Sequence, residues 1–135
     1  MSKRSDNPLH ELISLEKDAR NFGFDWPDKE MIIEQAISEC AEIKEAIAMA
    51  EPEHRLQEEI GDLLHTAISL CIFAGFDPEE TLLKVSYKFG TRMSALKSIA
   101  KERGFETLKG QSIELMMELW KEAKRRSQKT SPAAK

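Results

Sequence analysis

The stretch LQEEIGDLLHTAISLCIFAGF spans residues 56–76, and from residue 63 to residue 76 it contains no Asp, Glu, Lys or Arg. Its apolar side chains fall on nearly every face at helical spacing, with no alternation of period two, so the pattern predicts a helix that needs cover all round. The charge-free run is shorter than the roughly 20 apolar residues of a membrane span, which makes it a core helix and excludes a membrane partner. Yet the mouth of the same helix carries Glu58, Glu59 and Asp62, three carboxylates placed where the chain is about to leave water. A fold must surround the apolar turns, and something positive must answer the acids.

Working outward, prolines occur only at positions 8, 27, 52, 78 and 132, and the segments between them keep helical periodicity. A first helix is expected over about residues 9–21. The break FGFDWPD follows, and then a second helix over about 28–50 with the stripe Ile32, Ile33, Ala36, Cys40, Ile43 and Ile47. The third runs over about 53–74. GFDPEE is the sharpest boundary: Asp77 fits an N-cap, Pro78 the first helical position and Glu80 the reciprocal capping position. A fourth helix then runs toward residue 103, with Gly104 as its C-terminal cap and Gly90 a candidate bend. Ser112 caps a fifth, which carries Leu115, Met116, Leu119 and Trp120.

This is an all-α chain of about five helices. With 135 residues it is one domain, assigned to 1–126, and 127–135 form a basic tail expected to be disordered. So few helices cannot surround the third one, so a four-helix core is expected to be completed by homodimerisation, giving a homodimer or homotetramer. Lys+Arg number 20 against 24 Asp+Glu, a net charge of -4, so no overall field advertises nucleic acid. Cys40 and Cys71 stand in apolar helical pattern without a CxxC pair or a secretory signal. They read as buried free thiols of a cytoplasmic protein.

Two acidic pairs share one spacing: Glu39 with Glu42 in SECAEIKEA, and Glu59 with Asp62 in EEIGDLL. Residues three apart share a helix face, and like charges at the margin of an apolar stripe repel and lose hydration unless a cation compensates. Four such carboxylates on neighbouring helices suit a hard divalent ion, Mg2+ or in its place Mn2+. Spacing by itself is weak, because acid-x-x-acid occurs five times in the chain; the position of these two pairs beside apolar stripes sets them apart. Basic residues follow: Lys88 and Arg92 one turn apart in VSYKFGTR, Trp120 and Lys124 one turn apart in LWKEAK, and Arg55 one turn before Glu59. Converging on a metal-bound nest, they would clamp a polyphosphate. Taken singly, Lys88 and Arg92 are ordinary solvated charges and Trp120 an ordinary core residue. His65 reads as a satisfied core histidine.

In order, SECAEIKEAI, EEIGDLL, KFGTR and LWKEAK resemble the MazG-like nucleoside triphosphate pyrophosphohydrolases over about residues 22–124. The resemblance implies an all-α fold whose paired chains build four-helix bundles. It places magnesium ligands at Glu39, Glu42, Glu59 and Asp62, phosphate contacts at Lys88 and Arg92, and Trp120 and Lys124 around the pocket. Arg55 falls where members often carry a base. It implies Mg-dependent hydrolysis of a (deoxy)nucleoside triphosphate to monophosphate and pyrophosphate, with cleansing of the nucleotide pool as a biological use. Glu39 or Glu42 would take the proton of the attacking water, and the base would sit in an apolar slot against Trp26 or Trp120. Ser38 and Ser86 depart from the pattern, where members commonly have Glu and Asn. Two rivals remain within the superfamily, a dUTPase and a phosphoribosyl-ATP pyrophosphohydrolase. A third, of another class, is a non-catalytic helical dimerisation module. A di-iron bundle is excluded, since its only ExxH candidate, at Glu51 and His54, lies beside a helix break.

Overall fold

The computed structural model describes residues 7–130, which form five helices and no strand. These are α1 (Pro8–Phe22), α2 (Lys29–Ala48), α3 (Glu53–Phe73), α4 (Pro78–Glu102) and α5 (Ile113–Thr130). The expected tail overlaps α5 as far as Thr130, and its last residues, 131–135, lie outside the described part. α4 runs through Gly90 as one element.

Local side chains account for the helix ends. Asn7 accepts from the backbone N–H of Leu9 and His10 at 3.1 and 3.2 Å, with Pro8 opening α1. Asp28 accepts from Met31 N–H at 2.9 Å, Asp77 from Glu80 N–H at 2.9 Å and Ser112 from Leu115 N–H at 3.1 Å. Gly104, at φ +87°, turns the chain out of α4 as its N–H and that of Phe105 close on Lys101 and Ala100 carbonyls. At the end of α2 the left-handed position falls on Ala50, φ +52°, where an L side chain is strained.

The chain divides between Thr81 and Leu82 into two compact units. In the first, α2 and α3 pack along one another as a helical hairpin, the most extensive helix pair in the chain. The covered face of α2 repeats every seven residues through Ile32, Glu39 and Ala46, flanked by half-buried Ala36 and Ile43. This corrects the expected stripe: Ile33, Ile37, Cys40 and Ile47 form a second, uncovered face, with Ile37 65 % exposed. One neighbour covers only about a third of a helix's circumference, and α2 is apolar over more than that. Cys40 is therefore exposed and Cys71 half-buried, neither of them a buried thiol.

α3 differs in the same way. In its charge-free run the fully buried residues are Thr66 and Ser69, residues 70–74 are half-buried, and Leu64 is 62 % exposed. Both are small hydroxyl residues, and α1 reaches α3 there through polar groups. Arg20 Nη2 donates to the Ser69 carbonyl at 3.2 Å, and Ser69 Oγ donates to Glu16 Oε2 at 2.6 Å. His65 is not a core histidine. Its half-exposed ring puts Nε2 2.6 Å from the same Glu16 oxygen.

In the second unit Ile99, Leu119 and Ala123 form a core, against which Leu96, Leu115 and Trp120 pack. Trp120 also meets the Phe89 ring at 5.9 Å between centroids, tilted by 52°. Arg126 closes the α4–α5 pair on Glu102 at 2.9 Å, and Arg103 does so on Glu118 at 2.9 Å.

Candidate functional site

Glu39, Glu42 and Glu59 each bring a carboxylate oxygen to within 4.8 Å of the other two. The hairpin makes this meeting. Glu39 and Glu42 are one turn apart on α2, and Glu59 stands opposite on the first turns of α3. Glu39 is only 8 % exposed, because it occupies the register of Ile32 and Ala46 on the covered face. Gln35, one turn before it, donates Nε2 to Glu39 Oε2 at 2.9 Å. The other oxygen, Oε1, is buried and receives no hydrogen bond. A buried acceptor without a donor is costly in a native protein, commonly by about 1–3 kcal/mol.

The electrostatics agree with the geometry. Glu42 is held above the ordinary carboxylate range, first by a hydrogen bond shared with Glu39 and then by the negative charges of Glu59 and Glu39. Desolvation and the charge of Asp62 add to it. Three hard oxygen donors, one buried and orphaned and one driven toward protonation, fit a small divalent ion. Asp62 belongs to the same electrostatic neighbourhood as an exposed residue, but it does not join the three converging oxygens.

The other expected residues fall in several places. Arg55 is at the rim of the cluster, 3.9 Å from Glu59, and it shares its charge with Glu58 at 3.4 Å and Glu51 at 3.8 Å. Trp26 is half-buried and lines a cleft of about 540 Å³ between α1, the loop after it, and α3. Lys88, Arg92, Trp120 and Lys124 belong to the second unit, where Arg92 and Lys124 line a groove with Arg103, Lys121 and Arg125. Lys88 is exposed, and Trp120 is a core-packing residue there. Sequence reasoning missed Gln35, the Glu39 partner, and the Glu16–Arg20–Ser69 network. Gln35 had a local signal in its spacing of four from Glu39, whereas the network joins residues about fifty apart in the chain.

Among the described residues no single helix is long and apolar enough to cross a membrane. Residues 28–96 match the family described as the MazG nucleotide pyrophosphohydrolase domain, so the match takes in the whole carboxylate cluster and ends within α4. The chain is 34 % identical over 122 residues to the nucleoside triphosphate pyrophosphohydrolase/pyrophosphatase MazG of Thermotoga maritima, covering 87 % of this chain and 46 % of that protein. It is 32 % identical over 123 residues to the nucleoside triphosphate pyrophosphohydrolase of Escherichia coli K12, covering 90 % and 46 %. An uncharacterized protein of Bacillus subtilis, YabN, is 42 % identical over 72 residues, 53 % of this chain and 14 % of that one. The chain thus spans about half the length of the enzymes that it matches.

Proposed function

Since this chain belongs to the MazG nucleotide pyrophosphohydrolase family, we propose that it hydrolyses (deoxy)nucleoside triphosphates to the monophosphate and pyrophosphate. The observation that carries the reading is the convergence of Glu39, Glu42 and Glu59 around a buried oxygen with no donor. Two relatives named as nucleoside triphosphate pyrophosphohydrolases support the substrate class.

Glu39, Glu42 and Glu59 hold the metal, with Asp62 beside them, and the oxygen-only donor set favours Mg2+ over softer ions, Mn2+ being the nearest substitute. When bound, the ion supplies charge for the phosphoryl oxygens and acidity to a water. Gln35 fixes one Glu39 oxygen, so the carboxylate keeps its orientation on the covered face. Glu42, the exposed member of the pair, is the acceptor for a proton from water at neutral pH. Arg55, at the rim of the cluster, neutralises charge that grows on the pyrophosphate leaving group; the family resemblance assigns the same part to Lys88, Arg92 and Lys124 of the second unit. Ser38 supplies no second carboxylate beside Glu39, which leaves the proton acceptor to the ligand carboxylates themselves.

Homodimerisation, or its doubling to a tetramer, is part of the same reading. Ile33, Ile37 and Ile47 on α2 and Ile60 and Leu64 on α3 present apolar surface that a second copy would cover. Clearing aberrant triphosphates from the nucleotide pool is a use consistent with this chemistry.

The test is product analysis with magnesium and a panel of triphosphates. Pyrophosphate and monophosphate in equal amounts are expected. Orthophosphate with diphosphate would place attack at the terminal phosphorus and reject the proposed cleavage. A panel in which only dUTP turns over would select the dUTPase alternative instead.

A further inference from the structure

The net charge of -4 hides a segregation. Residues 82–135, the second compact unit, hold thirteen of the chain's 20 Lys and Arg but only five of its 24 Asp and Glu. That unit carries a surplus of eight positive charges, and the acids are concentrated in residues 1–81. A balance taken over the whole chain does not exclude a polyanion partner when the two signs sit in separate halves. A triphosphate already neutralised in part by metal needs few cations, so most of this surplus has no use in the hydrolysis.

Part of it is gathered in one place. A groove of about 650 Å³ between α4 and α5 takes Arg92 and Arg103 from α4 and Lys121, Lys124 and Arg125 from α5. Arg103 follows Arg92 by three turns, and the α5 cations stand three and four apart, so each helix presents its charges on one face. Two of the five are held in place from within. Arg103 Nη1 donates to Glu118 at 2.9 Å, and Arg125 donates to both oxygens of Glu122, from Nε at 3.1 Å and from Nη2 at 2.5 Å. Among the described residues Arg92, Lys121 and Lys124 have no carboxylate partner. Arg92 and Lys124 are also half-buried, so the groove keeps like charges together in a way that a bound polyanion would relieve. Glu122 feels the same field. The Arg125 hydrogen bond and then, against desolvation, the charges of Arg125, Arg126 and Arg103 hold it below the ordinary carboxylate range.

The lining narrows the choice of polyanion. Among the described residues no apolar side chain faces the groove. A membrane-binding surface inserts apolar side chains beside its cations, and a protein partner is gripped through a buried aromatic or apolar anchor. A phosphodiester backbone asks only for cations and polar groups in a wet channel, and three of the five cations are guanidinia, whose fork matches phosphate. The groove holds a stretch of single strand, whereas a double helix, whose major groove alone is about 12 Å wide, would lie across it. We propose that the α4–α5 groove binds the phosphate backbone of single-stranded nucleic acid, through Arg103, Lys121 and Arg125 beyond the triphosphate contacts that the family resemblance gives to Arg92 and Lys124.

The experiment follows the fluorescence anisotropy of short fluorescein-labelled single strands, one RNA and one DNA, titrated with the full chain. Saturable binding is expected, with log K falling against log[salt] at a slope of about -3.5 for five phosphate contacts, a loss of about a hundredfold between 50 and 200 mM salt. Lys121→Ala combined with Arg125→Ala should weaken binding about tenfold or more at the lower salt and bring the slope to about -2. Pyrophosphate release should be unchanged in that variant. Lys17→Ala combined with Lys44→Ala removes the same charge from exposed positions of the first unit and should leave binding as it was. Binding of either strand in this pattern upholds the inference, and the tighter of the two identifies the preferred sugar. It is overturned if neither strand binds, if the two double variants lose affinity equally, or if polyglutamate, phosphatidylserine vesicles or duplex DNA bind as tightly at matched salt. Loss of pyrophosphate release in the groove variant would assign these cations to the triphosphate and overturn it too. Should circular dichroism show that the groove variant does not fold, Lys121→Ala alone must still reduce the slope by about 0.7, and an unchanged slope overturns the inference. A chain that releases no pyrophosphate rejects the hydrolysis reading and leaves the anisotropy result to decide the groove.

Discussion

Glu39 stands in the same helix register as Ile32 and Ala46, so the fold buries a carboxylate where packing alone would ask for an aliphatic side chain. Glu39→Leu would suit the hairpin better, and its stability and its activity should move in opposite directions. The variant is expected to melt higher by calorimetry in the absence of metal, since an unpaired buried oxygen and its like-charge neighbours disappear. Pyrophosphate release should fall by roughly 100-fold or more, the equivalent of several kcal/mol of lost charge stabilisation. Glu59→Gln makes the same point with less change in shape: turnover lost, helicity intact, and no thermal shift on adding magnesium. A Glu59→Gln enzyme that still turns over normally would refute the metal assignment. The Glu39–Glu42 pair was legible in the sequence because a spacing of three on a helix is a purely local constraint. The Glu16 network was not, because His65 and Ser69 reach it from 49 and 53 positions away, and only the docking of α1 on α3 brings them there.

At the level of the helix, the ends were legible and the faces less so. Asp77, Gly104 and Ser112 act within three or four residues of themselves, and each caps as its chemistry dictates. Asn7 was overlooked as the cap of α1 although Pro8 follows it, which is the same signal. The faces depend on which neighbour arrives, and α2 carries more apolar surface than α3 covers. Ala50 offers a direct test of the α2 terminus, since its left-handed backbone is one that glycine adopts without penalty. Ala50→Gly should stabilise the protein by about 0.5–1 kcal/mol, read as a rise in melting temperature with unchanged activity. The α4–α5 pair should respond to acid. Glu102 is held below its ordinary value by the hydrogen bond and charge of Arg126, and Glu122 by Arg125 with Arg126 adding to it. The native state therefore binds fewer protons than the unfolded chain as these carboxyls titrate. Their contribution is complete above about 4.5 and is lost as pH falls through the depressed values. Thermal unfolding between pH 7 and 3.5 should show a decline that is shallower in Arg126→Ala; an equal decline would assign the acid sensitivity elsewhere.

On the scale of the whole molecule, large apolar side chains lie open along α2, α3 and the first half of α4. Ile37, Ile47, Leu64, Leu82, Leu83 and Phe89 are all more than half exposed. Scattered apolar residues are normal on a surface, but rows of them along successive turns mark a face that another surface covers. The covered stripe of α2 carries Glu39, with exposed Glu42 one turn on, so association through the open face would stiffen the same helix that holds both carboxylates. Ile37→Lys combined with Leu64→Lys places charges on that face without touching a ligand carboxylate. The pair should shift the protein to a monomer by light scattering at micromolar concentration. The melting temperature of the unaltered protein, unlike that of the variant, should rise with concentration. If the assembly holds α2 in place, the double variant binds magnesium more weakly by calorimetry, through looser carboxylates rather than fewer of them. A variant that stays associated would move the interface to the open residues of α4, where Leu83→Lys becomes the discriminating substitution. A chain that is monomeric without any substitution would reject the four-helix assembly altogether.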